Sequence, residues 1–131
     1  MLQEFKNDIY PRRLWVATSW EDAKDKFASD YEIKESEGNF ATTYPRVKHK
    51  GNRRLGVLIV FNIGENEGGS AIVGTIAHES VHAANFIFDD LGIQYDLVND
   101  EHAAYTVGWV AKCCWKALQK EIYKKKKDDR Q

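Results

Sequence analysis

The sequence predicts an α+β fold in which a small mixed or antiparallel sheet precedes two long helices. The N-terminal half holds short β-rich stretches, and the C-terminal half holds two long segments with helical periodicity. Strands followed by helices are typical of an α+β domain. With 131 residues, the chain is long enough for one hydrophobic core, so we expect a single domain over residues 1–131.

The first predicted strand runs from Arg12 to Thr18, where apolar and polar residues alternate weakly. Ser19 then has the position of an N-cap for a short helix of about ten residues. That helix is expected to turn Trp20, Ala23 and Phe27 toward the core.

Two further strands are predicted before the long helices, for a sheet of about three or four strands in all. The segment from Phe40 to Val47 is rich in β-forming residues, but Pro45 lacks an amide donor and therefore predicts an edge strand. A turn from His49 to Asn52 reverses the chain into Leu55 to Asn62. That run is the most hydrophobic in the sequence and predicts the central strand.

Two long helices are predicted in the C-terminal half. A glycine-rich segment, residues 64–69, lacks the lysine and spacing of a phosphate-binding loop. Ser70 is the expected cap of the next helix, which runs to about Leu91 with Gly92 as its stop. Its apolar surface is broad and is expected to be largely buried; it comprises Ile72, Val73, Ile76, Ala77, Ala84, Ile87, Phe88 and Leu91. Asn99 is the expected cap of the last helix, which begins with small residues and ends in a flexible basic tail from about residue 124.

The run His78-Glu79-Ser80-Val81-His82 is the feature that bears most on function. Histidines four residues apart on a helix differ by about 40° around the axis and about 6 Å along it, so both imidazoles can contact one ion. Glu79 then lies beside the ion, placed to polarise a bound water rather than to bind the metal. Eighteen residues separate His82 from Glu101, which opens the last helix. Together they give two histidines and one carboxylate, with a fourth position left to water.

This pattern resembles the gluzincin zinc metallopeptidases, the thermolysin-like and aminopeptidase-like group. The resemblance covers about Ile72 to Val110: the HExxH run, the eighteen-residue gap, then Asn-Asp-Glu followed by Ala-Ala-Tyr. It implies a zincin-like fold reduced to a minimal catalytic core, as in small phage-type and bacterial zincins. It also implies Zn²⁺ as the cofactor, with His78, His82 and Glu101 as zinc ligands and Glu79 as the general base.

The resemblance further implies zinc-dependent hydrolysis of peptide bonds. Glu79 would take a proton from the zinc-bound water and pass it to the leaving amine. An extended peptide substrate would pair with the free side of the Phe40 to Val47 strand, interrupted at Pro45.

Other residues near Glu101 are candidates for supporting roles. Tyr105 lies four residues after Glu101 on the same helix face and is the candidate catalytic residue for stabilising the oxyanion. Tyr95 and His102 compete with Tyr105 for that role. Asp100 and His102 are the alternatives to Glu101 as third ligand.

Composition sets expectations about partners and location. The formal net charge of −1 argues against a nucleic-acid binder that works by bulk phosphate attraction. No apolar leader or membrane-length run occurs, which predicts a cytoplasmic protein without a membrane partner. Cys113 and Cys114 are adjacent and point about 100° apart on a helix, so we expect reduced structural thiols. The expected partner is a peptide or protein substrate, and the oligomeric state stays open.

Two other functions compete with hydrolysis. One is a zinc-binding interaction module or pseudoenzyme that keeps the zincin-like fold without cutting peptides. The other is a helical structural protein whose histidines meet no metal.

Overall fold

The structure is a computed structural model that describes residues 1–63 and 68–129. Within these residues the strands are β1 (Leu2–Phe5), β2 (Arg13–Ala17), β3 (Phe27–Ser29), β4 (Ala41–His49) and β5 (Leu55–Phe61). The helices are α1 (Trp20–Ala23), α2 (Gly69–Leu91) and α3 (Glu101–Asp129). This confirms the α+β class and the two long C-terminal helices. Residues 64–67 of the predicted glycine-rich segment lie outside the described residues.

The strands form one mixed sheet in the order β1-β2-β5-β4-β3. β5 lies in the middle, parallel to β2 and antiparallel to β4, which confirms the predicted central strand. Gly56 at the start of β5 is required by a close approach, because a Cβ there would overlap the Arg13 carbonyl. β1 was not predicted, since Gln3 and Glu4 make it read as polar, and it brings the described sheet to five strands.

Each face of the sheet has its own core. α2 and α3 pack on one face, where the large buried side chains include Leu14, Val16, Val57, Ile59, Phe61, Ile87 and Phe88. The opposite face carries a smaller core that includes Trp15, Tyr44, Val47, Leu58 and Val60, covered by Ala23 and Phe27. Because both faces are covered, β5 is hydrophobic almost throughout rather than alternating.

The predicted ten-residue helix was too long. Ser19 does cap α1, accepting a hydrogen bond from the Asp22 amide, but α1 ends at Ala23. Lys24 leaves the helical conformation and Asp25 takes a positive φ of 63°, which turns the chain into β3. Phe27 therefore reaches the core from a strand, where its ring lies 5.2 Å from that of Trp15.

The prediction of β4 as an edge strand is only partly right. β3 pairs with β4 from Val47 to His49, so that end of β4 lies inside the sheet. Residues 41–46 have no strand partner on that side among the described residues. Pro45 and Arg46 lie where the register with β5 shifts, and Arg46 has a φ of 49°. Pro45 therefore lies in a bulge, where the strand does not need the hydrogen bond that proline cannot donate.

The predicted helix starts need small corrections. The N-cap of α2 is Gly68 rather than Ser70, so the helix begins one residue before Ser70. The Asp100 carbonyl accepts the first helical hydrogen bond of α3, from Ala104, so the cap position belongs to Asp100 rather than Asn99. Gly92 ends α2 in the left-handed conformation at φ 70°, as predicted.

The buried surface of α2 is narrower than the sequence suggested. Val73 and Ala77 are exposed, whereas Ile76, Ala84 and Ile87 are buried. At the other end of the chain, α3 continues to Asp129, through the segment expected to form a flexible tail. No helix among the described residues is both long and apolar enough to cross a membrane.

Candidate metal centre

α2 carries His78 and His82 on the side that faces away from the core, and both side chains are exposed. Their Nε2 atoms lie 3.2 Å apart. Two nitrogen ligands of a tetrahedral zinc ion, each about 2.05 Å from it, are themselves about 3.3 Å apart. The helix alone therefore gives this pair the separation that a shared ion requires. Without a metal, the same distance allows one ring to donate a hydrogen bond to the other.

The His82 ring is supported by its own helix. Phe86, one turn further along α2, stacks on it with the ring planes 19° apart and the centroids 6.2 Å apart. The His78 ring stands at 71° to the His82 ring. Stacking restricts the rotation of the His82 imidazole, which lowers the entropy lost when its nitrogen binds an ion.

Glu79 lies between the helix and the sheet and is only 6% exposed. Its Oε2 accepts a hydrogen bond of 2.6 Å from the Thr43 hydroxyl of β4. Its Oε1 makes none of the hydrogen bonds found in the described part of the chain. One oxygen is thus anchored to the strand and the other remains available as a proton acceptor.

An open cleft of about 440 Å³ borders this carboxylate. One wall is the chain entering β4, with Asn39, Phe40 and Ala41. The other wall is α2, where Gly74, His78 and Glu79 are among the lining residues. The cleft therefore joins the free edge of β4 to the His78-Glu79 pair, which is the placement an extended chain between strand and helix would need.

The structure does not bring Glu101 to the histidine pair. Among the described residues, no three histidine, cysteine, aspartate or glutamate side chains are placed together to hold an ion. The physical reason is the length of α2, which continues to Leu91, nine residues beyond His82. The next residue after Glu101, His102, packs on Phe88 with ring centroids 5.3 Å apart. Phe88 lies six residues beyond His82, about 9 Å along the axis.

The position of Gly92 in the sequence predicted where α2 ends, ten residues after His82, but not where the nine-residue connection 92–100 brings the start of α3. Glu101 is exposed there as the first residue of α3. Its role as third ligand stays a prediction that requires movement of this end of α3 toward His82.

The three candidate oxyanion stabilisers lie in different places. Tyr105 is 61% exposed and lines a small recess beside residues 7–9 rather than the cleft of Glu79. The Tyr95 hydroxyl donates to Asn85 Oδ1 at 2.8 Å, one turn beyond His82. The His102 ring packs against Tyr95, and its buried Nε2 has no hydrogen-bond partner in the described residues. Of the three, Tyr95 forms a side-chain hydrogen bond to α2, at Asn85, within one turn of His82.

The two cysteines are buried and free, as expected of reduced structural thiols. Burial raises the pKa of the Cys113 thiol to about 11. Burial also raises the pKa of Cys114, with smaller contributions from Cys113 and from Glu79. Raised pKa values disfavour the thiolate form that binds metals or acts as a nucleophile.

Comparison with known proteins gives no family or function for this site. No protein-family profile, curated protein or solved structure was found to match the chain.

Proposed function

We propose that the chain hydrolyses peptide bonds in the cleft between α2 and β4, with zinc as cofactor. The observation that carries the proposal is the pair of exposed imidazole nitrogens 3.2 Å apart, with Glu79 beside His78 on the same cleft wall. His78 and His82 would hold the ion. When bound, zinc supplies Lewis-acid polarisation of a carbonyl and lowers the pKa of a water molecule.

Glu79 is the proposed general base. Its Oε1 takes a proton from the attacking water, and the same carboxyl group returns that proton to the leaving amine, so the residue ends as it began. The Thr43 hydroxyl holds Oε2 and thereby fixes the direction in which Oε1 points. The cleft that borders this carboxylate is open, so a water molecule can reach it.

The free side of β4 is the feature that favours a peptide as the substrate. The strand from Ala41 to Tyr44 pairs with β5 on one side only among the described residues. An extended peptide can add to that edge by main-chain hydrogen bonds. The bulge at Pro45 and Arg46 ends the usable edge, so we expect contact with a short stretch of substrate.

Glu101 is the proposed third ligand, and zinc affinity tests it separately from activity. If binding draws the start of α3 toward His82, Glu101→Gln should weaken zinc binding. The retained two-histidine site should still bind, because both imidazoles are unaffected. Equal zinc affinity of the variant and the wild type would remove Glu101 from the site.

The decisive experiment measures zinc content and peptide cleavage on the same preparations. We expect about one equivalent of zinc in the wild type and loss of metal in His78→Ala and His82→Ala. Glu79→Gln should keep the metal and lose cleavage by at least 100-fold. Glu21→Gln, an exposed carboxylate on α1, is the matched control and should change neither property.

A second candidate function is a metal-dependent interaction module. The separation of Glu101 from the two histidines favours this function. An ion held by only two imidazoles keeps coordination positions open for ligands from a partner protein. Wild-type protein that carries zinc but cleaves no member of a diverse peptide library would support this candidate. Wild-type protein that binds no zinc, with both histidine variants behaving identically, would reject both candidates.

A further inference from the structure

α3 has an exposed face that neither the core nor the metal centre explains. We call it the α3 outer face and define it by six exposed residues: Tyr105, Lys112, Trp115, Lys116, Lys120 and Tyr123. At about 100° per residue they occupy an arc of about 140° along the helix. The opposite side of the same helix is buried, with Val110, Cys114 and Ala117 nearly inaccessible.

The aromatic side chains of the α3 outer face are open to solvent. Tyr105, Trp115 and Tyr123 are 61%, 46% and 70% exposed. Large aromatic rings normally contribute their area to a core or an interface. Three of them lie along one side of α3, outside the core, where they are accessible to another molecule.

The charge of this helix differs from that of the whole chain. α3, residues 101–129, contains seven lysines and four acidic residues, a net charge of +3, whereas the chain as a whole has −1. The rest of the chain therefore carries −4. Lys112, Lys116 and Lys120 take part in none of the ion pairs in the described residues. The near-zero net charge of the chain is therefore the sum of a basic helix and an acidic remainder.

We propose that the α3 outer face binds single-stranded nucleic acid. Lysines four residues apart repeat every 6 Å or so along the helix and present a row of cations to a phosphate backbone. The neighbouring rings offer stacking surfaces for unpaired bases, the combination that single-strand binding uses. The site lies on α3, apart from the α2 histidines, and is independent of the proposed hydrolase activity.

Two other anionic partners fit the face less well. Bases in a duplex are already stacked, so duplex binding would use the lysines and leave the three rings without a role. An anionic membrane attracts lysines, but stable binding needs an apolar helix face that inserts, and the apolar side of α3 is buried against the sheet and α2.

The test measures binding of the full chain to three probes across salt concentrations. The probes are a labelled oligodeoxythymidine, a mixed-sequence duplex of equal length and phosphatidylserine-containing vesicles. We expect the single strand to bind most tightly. If the three lysines each contact a phosphate, they should contribute about −2 to the slope of log affinity against log salt.

Two sets of variants separate charge from stacking. The triple variant K112Q/K116Q/K120Q should lose about 100-fold in affinity at about 0.1 M salt and most of that slope. Trp115→Ala and Tyr123→Ala should each lose at least about fivefold with the slope unchanged. The matched control K24Q/K26Q/K34Q makes the same charge change at exposed positions elsewhere and should stay within about threefold.

Several results would overturn the proposal. The proposal fails if the wild type does not bind the single strand, or if it binds the duplex or the vesicles more tightly. It also fails if the control variant loses as much affinity as the triple variant. Self-association through the α3 outer face, seen as a dimer in sedimentation that Trp115→Ala abolishes, would also replace it. Circular dichroism checks that each variant is folded. If the triple variant unfolds, the salt dependence of wild-type binding and the affinities of Trp115→Ala and Tyr123→Ala still test the proposal.

Discussion

Thr43 is the residue whose role was least visible in the sequence. Its hydroxyl donates to the buried Glu79 carboxylate from a strand 36 positions earlier in the chain. The HExxH run places His78, Glu79 and His82 relative to one another, because they share a helix whose geometry is regular. Thr43 could not be found that way, since only the packing of β4 on α2 brings it to Glu79. Many threonines occur in strands without such a partner.

Replacing Thr43 by valine tests how strongly this hydrogen bond supports Glu79. The change keeps the side-chain shape and leaves a buried carboxylate oxygen without its donor, so unfolding free energy should fall by about 1–3 kcal/mol. Urea denaturation measures it. Thr42→Val is the control, because the Thr42 hydroxyl makes no hydrogen bond to a charged group in the described residues and its loss should cost less than that of Thr43. Equal losses in the two variants would show that the Glu79 contact contributes nothing specific.

The contact between α2 and α3 depends on small side chains. Ala83 and Ala84 of α2 and Ala103 of α3 are buried in the same core cluster. Small buried side chains at these positions let the two helix backbones approach closely. The level at which the helices meet was not predicted, because it depends on the path of the nine-residue connection between α2 and α3.

A larger residue at this contact should destabilise the helix pair. Ala84→Leu inserts three carbon atoms at a fully packed position and should lower the unfolding free energy by about 1–3 kcal/mol. Ala77→Leu makes the identical change on the exposed side of α2 and should stay within about 0.5 kcal/mol. Thermal or urea unfolding compares the two. A tolerated Ala84→Leu would mean that the packing between α2 and α3 is loose.

At the scale of the molecule, Glu4 joins β1 to the turn between β4 and β5. Its two carboxylate oxygens accept hydrogen bonds of 2.7 Å from Asn52 and from Arg54. Partial burial by itself raises the pKa of Glu4, but the hydrogen bonds from Asn52 and Arg54 outweigh it and hold the pKa below its usual 4.5. Stabilisation from this group is therefore present above the ordinary glutamate pKa and is lost as pH falls through the lowered value.

Glu4→Gln should reduce the unfolding free energy by about 0.5 kcal/mol at neutral pH, because the ion pair with Arg54 is partly exposed. The difference from wild type should shrink at acidic pH, as the pH falls through the lowered pKa of Glu4 and the wild-type carboxyl group becomes protonated too. Urea titrations at neutral and at acidic pH measure it. A difference that stays constant with pH would mean that packing, rather than charge, accounts for the effect. Glu37→Gln, an exposed residue, is the control.

Much of the α+β organisation followed from the sequence, because the β5 segment and the two helical periodicities are strong signals. α1, β1 and β3 were missed or misjudged, since each has five residues or fewer and depends on tertiary contacts. The basic α3 outer face was hidden by the average charge, although the spacing of Lys112, Lys116 and Lys120 was readable along the sequence.

The parallel pairing of β2 with β5 has a consequence for how the chain folds. Each residue in this pair of strands meets a partner 43 positions away, as Arg13 meets Gly56. Closing so long a loop costs chain entropy before any contact between the strands stabilises it. The connection between α2 and α3 has only nine residues, so bringing these helices together costs less entropy. Topologies of this kind reach the native state more slowly than helical bundles, in milliseconds rather than microseconds. The helical hairpin is therefore expected to collapse early, and the docking of β2 beside β5 to limit the folding rate.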